Sequence, residues 1–165
     1  MKSMFIAAQV CGVINFTTYG LSIWMKRKKD MLLFQIIGNL ADIIQYLCLG
    51  AYIACGLNII SLIRNILFRK KECNRILLLG IILSYLICGI FTFDTVFSAI
   101  SILCVIIQTV LVYQKEEQYI RIGAVLIILY WILYDFIYGA YVATMLDFII
   151  LLSNIAASVH YRKKT

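Results

Sequence analysis

The sequence predicts an all-α integral membrane protein: seven transmembrane helices, arranged as two parallel three-helix repeats joined by a linker helix. Three observations carry that reading. Hydrophobic residues make up 64% of the 165 and charged residues only 14%, with a mean hydropathy of +0.97. A soluble domain of this size has too little core to hide so much apolar surface. The apolar residues fall into runs of roughly 17–25, each long enough as a helix to cross about 30 Å of hydrocarbon, with short charged clusters between them. Finally, residues 50–65 return 89 positions later as residues 139–154, which aligns Asn58 with Asp147 and Asn65 with Asn154.

The spans are placed at 4–25, 31–49, 51–68, 76–92, 95–113, 119–137 and 140–158. The first has the length of a secretory signal, but its positive charges mostly follow the apolar run instead of preceding it, so it is expected to stay as a helix. Asn15, Tyr19 and Ser22 share one of its faces. Lys26-Arg27-Lys28-Lys29 separates it from the second span, which carries Asp42. A turn near Gly50 leads to the third, with Asn58, Arg64 and Asn65. Arg69 to Glu72, with Arg75, then precede a fourth span whose only strongly polar residue before its last turn is Ser84, so it reads as a linker. After a turn at Phe93-Asp94, the fifth span places Ser98, Ser101 and Gln108 on one face. Lys115-Glu116-Glu117 leads into the sixth, which carries Tyr130, Trp131, Tyr134, Asp135 and Tyr138. A turn at Tyr138-Gly139 opens the seventh, with Asp147 and Asn154, followed by the basic stretch from His160 to Lys164.

The 89-residue shift sets spans one, two and three over five, six and seven. Three crossings alone would leave the second unit upside down, and the single extra crossing makes the copies parallel. The expected division is therefore a first repeat at 1–70, a linker at 71–93, and a second repeat with its basic tail at 94–165.

Of fifteen basic residues, Lys2 stands at the N-terminus, Arg64 lies within a span, and the other thirteen flank one side of the membrane. By the positive-inside rule that side is cytoplasmic, with the N-terminus outside and the C-terminus inside. Trp24, Tyr113, Tyr119 and Tyr161 are expected near the inner boundary, and Tyr52, Phe91, Phe93, Tyr138 and Tyr141 near the outer one. This topology and anionic lipid headgroups account for the net charge of +7, so membrane lipids are expected partners and nucleic acid is not.

Polar side chains in hydrocarbon lack partners, and an ionised carboxylate at mid-membrane costs roughly 2.5–3.5 kcal/mol, so such groups are expected to face inward. Asn58 and Asn65 are seven apart, as are Asp147 and Asn154, and seven residues make nearly two helical turns, so each pair projects from one face. These amides either join helices, at about 0.6 kcal/mol each, or hold a ligand. Asp147 is the sharper case, because its counterpart Asn58 is neutral; it is a candidate to bind a cation, pair with Arg64 or carry a proton. Arg64 has the further option of extending its stem to the headgroups. Trp131, Asp135 and Tyr138 share one face of span six, with Tyr130 and Tyr134 on the next. That stripe either packs a core or stacks a flat solute. Under the shift Trp131 aligns with Asp42, a second intramembrane carboxylate.

In architecture the chain resembles the SWEET and PQ-loop transporters, built as three helices, a linker and three helices with parallel repeats. More closely it resembles the bacterial inner-membrane YgjV family, on Leu62-Ile63-Arg64, Trp131, Thr144-Met145-Leu146-Asp147 and Leu151-Leu152-Ser153-Asn154. The resemblance implies a multi-pass protein of the bacterial inner membrane. The wider likeness implies a ligand held by asparagines of helices three and seven and aromatics of helices two and six, a placement that Asn58, Asn65, Asn154 and Trp131 match by helix. The chain departs from the SWEET pattern in having no proline, and so lacks the Pro-Gln signature and the proline hinges.

The expected function is secondary transport or facilitation of a small polar or ring-containing solute, with Asp42, Asn58, Asn65, Trp131, Tyr134, Asp147 and Asn154 as binding candidates. Asp147 and Arg64 are the ion-pair or proton-coupling candidates. A receptor, assembly factor or accessory subunit on the same scaffold is the alternative. No enzyme, cofactor or metal site is expected: the six cysteines form no CxxC pair, His160 has no nearby ligand set, and no phosphate-binding glycine loop is present. A homo-oligomer is left open.

Overall fold

The computed structural model describes residues 2–70, 74–92, 96–114 and 117–162. Among these are seven helices and no strand: α1 (Lys2–Trp24), α2 (Lys28–Leu49), α3 (Tyr52–Lys70), α4 (Arg75–Thr92), α5 (Val96–Tyr113), α6 (Glu117–Ile137) and α7 (Tyr141–Arg162). The order and bounds follow the seven expected spans to within a few residues. The turn at Phe93-Asp94, residues 71–73, Lys115 and Glu116, and residues 163–165 lie outside the described residues.

Five helices, α1, α2, α3, α6 and α7, are long and apolar enough to cross a membrane. Helices α4 and α5 have 18 residues each, a rise of about 27 Å that nearly matches the hydrocarbon thickness. Their surface is that of a lipid-facing protein: Ile76 is 81% exposed and Phe91 84%, while Gln35, Gln45, Asn65 and Asp135 are buried. A soluble fold would invert this distribution.

The helices form a closed ring of six. Helices α1, α2 and α3 pack in sequence, as do α5, α6 and α7; α3 meets α5 and α7 meets α1, while α4 packs against α3 and α5. Moving every residue by one repeat turns the α3–α5 contact into the α7–α1 contact, as a two-fold axis through the ring requires.

The turns obey the same relation. Gly50 and Gly139, repeat counterparts, are the only described residues with positive φ, at 74° and 81°. Ala51 N–H donates to the Tyr46 carbonyl at 3.0 Å, and Ala140 N–H to the Asp135 carbonyl at 2.8 Å, so each glycine closes a helix in the same left-handed cap. At the opposite end the basic turns meet. Lys28 Nζ donates to the Gln114 carbonyl (2.9 Å), Arg69 Nε to that of Lys29 (3.2 Å), and Arg121 to those of Ile23 and Met25.

Because only glycine adopts this conformation without strain, Gly50→Ala and Gly139→Ala are each expected to lower stability by about 1 kcal/mol in detergent unfolding. Gly80→Ala is expected to leave it unchanged or raised, since a Cβ there meets nothing within 4 Å.

Candidate functional site: a cavity between the repeats

Tyr46 and Asp135 are repeat counterparts, and they touch. The Tyr46 hydroxyl donates to Asp135 Oδ1 at 2.6 Å, across a sequence separation of 89. Residues related by a two-fold operation meet only near its axis, so this bond puts the axis between α2 and α6. Each lies one helical turn before its glycine cap, at the turn end of the ring. Trp131 and Tyr134 pack against Tyr46 with ring centroids at 6.3 and 6.1 Å, and Tyr134 stacks on Tyr138 at 4.4 Å. Large rings thus fill the centre at that end.

Toward the basic end the centre is closed by polar groups instead. Arg64 is 1% exposed; its Nε donates to Asn65 Oδ1 and its Nη1 to Thr109 Oγ1, both at 3.0 Å, and Asn65 Nδ2 reaches Gln35 Oε1 at 3.5 Å. Arg64 therefore bridges α3 to α5 inside the protein and does not extend to the headgroups. The donor set of a guanidinium requires such partners when no water is near.

Between these closures lies a cavity of about 80 Å³, room for about three water molecules at about 30 Å³ each. Twelve of its fifteen described lining residues are six pairs of counterparts: Tyr19 and Gln108, Asn39 and Ile128, Asp42 and Trp131, Tyr46 and Asp135, Asn58 and Asp147, Ser61 and Ile150. Asn15, Val105 and Ile127 complete it. The polar members come largely from α1, α2 and α3, and the isoleucines from α6 and α7.

Several polar walls are held by neighbours. The Asn15 amide donates to the Asp42 carboxylate, and Gly38 gives that amide room, since a Cβ there would lie 3.2 Å from Asn15 Oδ1. Asn58 Nδ2 bonds the Ala54 carbonyl (3.0 Å) of its own helix. Ser61 Oγ pairs with the Tyr85 hydroxyl at 2.8 Å, which ties α4 to the cavity wall through a residue the sequence reading of that helix passed over. Asp42, Asp135 and Asp147 lie within electrostatic range of one another, and no lysine, arginine or histidine is among the described lining residues. Among the described residues no group of three or more His, Cys, Asp and Glu is arranged to hold a metal ion.

Of the seven binding candidates, the structure brings Asp42, Asn58, Trp131 and Asp147 to the cavity. Asn65 sits in the Arg64 network. Tyr134 is 0% exposed and belongs to the hydrophobic core. Asn154 lines a separate pocket of about 10 Å³ beside Gln35, Arg121 and Ala124, the room of about one water. Seven residues along a helix advance about 10 Å, so Asn65 and Asn154 share a face with Asn58 and Asp147 but not a level. The counterpart of Gln35, which contacts Asn65, is Ala124, and that of Arg64 is Ser153; among the described residues Asn154 accordingly has no hydrogen-bond partner for either amide atom. The lining residues outside the candidate set were within reach of the shift itself: it pairs Tyr46 with Asp135 and Tyr19 with Gln108.

A family model described as bacterial inner membrane protein, Imp-YgjV, matches residues 6–165, and the chain belongs to that family. It is a multi-pass protein of the bacterial inner membrane. No curated protein and no solved structure matches the chain.

The two asparagine counterparts are expected to differ on replacement by leucine. Asn65→Leu strips the partners of Arg64 and Gln35 and is expected to cost about 1–3 kcal/mol, whereas Asn154→Leu removes an unpaired buried amide and is expected to be neutral or stabilising. Detergent unfolding of the two variants side by side measures the difference.

Proposed function

We propose that this Imp-YgjV family member is a small secondary transporter or facilitator, binding one modest polar or ring-containing solute between its two three-helix units and exposing it to each side in turn. The observation that supports this is the cavity between the helix units, lined by polar and apolar side chains in counterpart pairs from both repeats. A purely structural scaffold gains nothing from a cavity at its centre, since a cavity forfeits protein contacts and its buried polar walls need satisfying. In this proposal the chain divides at 1–70, 71–93 and 94–165. The basic end is cytoplasmic, so the N-terminus is outside and the C-terminus inside.

Passage requires both ends to open. At the turn end the Tyr46–Asp135 bond has to part; at the basic end the Arg64–Thr109 bridge between α3 and α5 has to loosen. Two helix triplets rocking about their shared axis separate these bonds one at a time. The chemistry is non-enzymatic and takes no cofactor. Membrane lipids surround the ring, and a homo-oligomer would use its lipid-facing side.

A thermal-shift screen of the purified chain against a broad metabolite panel, followed by uptake into proteoliposomes, tests the reading. At least one solute is expected to raise the unfolding midpoint and to enter the vesicles. Trp131→Ala and Asn58→Ala are expected to abolish both effects; the first also lowers the unliganded midpoint because its ring packs against Tyr46 and the core, while the second leaves it close to the parent. A panel without a single shift, together with vesicles no more permeable than empty ones, would favour a receptor or assembly role on the same scaffold.

A further inference from the structure

The cavity's charge is lopsided. Three carboxylates, Asp42, Asp135 and Asp147, surround it within electrostatic range of one another. One guanidinium, Arg64, lies within range of Tyr19, but it is turned to Asn65 and Thr109 and is not a lining residue. Asp42 receives one amide and Asp135 one hydroxyl. Asp147 has no hydrogen-bond or ion-pair partner among the described residues. A carboxylate so placed in the hydrocarbon zone calls for a counter-charge or a proton.

The form of that counter-charge follows from the rest of the wall. The acids are set apart around the cavity and no three of them converge as the ligands of one metal ion, so the arrangement suits a charge spread over several atoms. Two lining aromatics, Tyr46 and Trp131, stand with centroids 6.3 Å apart at 34°, and rings of this kind attract ammonium and guanidinium groups. Ile127, Ile128 and Ile150 supply an apolar flank for methyl or methylene groups. Acid, aromatic ring and aliphatic wall together are the three contacts an alkylated cation uses, whereas an anion, though the lining amides and hydroxyls could donate to it, would face three carboxylates with no lining cation.

We infer that the solute of this cavity is a small organic cation, a quaternary ammonium or guanidinium compound, with Asp147 as its principal counter-ion, Asp42 and Asp135 flanking it, and Trp131 and Tyr46 against its face. The inference takes its site from the transport reading and specifies the substrate class; it stands or falls on binding, independently of movement.

Choline and its carbon isostere, in which a quaternary carbon replaces the nitrogen, isolate the charge. With the full chain purified in an uncharged maltoside detergent, choline is expected to raise the unfolding midpoint at concentrations at least about tenfold lower than the isostere does. Asp147→Asn is expected to weaken choline at least about tenfold and leave the isostere unaffected, while Asp147→Glu retains the preference. Asp42→Asn provides the same comparison should Asp147→Asn not fold. Equal stabilisation by the two compounds overturns the inference, as does a choline response untouched by these changes, or no response to either choline or guanidinium. Proteoliposome flux separates the two readings: choline bound but not moved overturns transport alone, and a neutral solute moved without cation preference overturns the cation alone.

Discussion

At mid-membrane there is no water to solvate a carboxylate, an amide or a hydroxyl, so each such side chain has to find its partner within the protein or point into a space the protein encloses. The arrangement of this chain follows from that constraint. Its polar side chains converge on the line where two sequence repeats meet, and its apolar ones turn outward to lipid. Where two copies of one unit face each other across an axis, equivalent positions come together. The contact between Tyr46 and Asp135, 89 residues apart, is the physical signature of that meeting. The cavity is what remains when both copies present polar faces that do not fully pair.

The copies have diverged in complementary ways. On α2 the order toward the turn end is acid and then aromatic, Asp42 followed by Tyr46; on α6 it is aromatic and then acid, Trp131 followed by Asp135. Each level of the cavity therefore holds one carboxylate and one ring, and negative charge reaches both sides of the axis without two acids standing directly opposite. Elsewhere divergence has separated structure from opening. The first copy keeps Gln35, Arg64 and Asn65 as a closed network, while the second has Ala124, Ser153 and Asn154 and a water-sized gap at the equivalent level. One repeat is braced and the other is loosened.

Much of the fold was legible because hydrophobic run length and turn residues are local properties. Seven spans, the glycine turns at 50 and 139 and the gathering of basic turns at one end need no knowledge of packing. The site was legible where the duplication itself marked a pair, as with Asn58 and Asp147, or Asp42 and Trp131. It was less so where depth decides. Asn65 and Asn154 share a helical face with the lining residues but sit about 10 Å along the axis from them, and a helical wheel discards that coordinate. Tyr134 lies one position before Asp135 and points away into the core, which periodicity on a helix aromatic on two adjacent faces does not resolve. Asp135 belonged to a stripe already noted. Its place at the axis emerges once the shift is applied to its counterpart Tyr46.

Counterpart residues of the two repeats meet at the axis and couple there. A double-mutant cycle on Tyr46→Phe and Asp135→Ala, read by unfolding in detergent, tests that coupling most directly. A coupling energy of roughly 0.5–3 kcal/mol, the range for residues in direct contact, is the result this account predicts. Additive effects within about 0.3–0.5 kcal/mol, as for residues far apart, would contradict it.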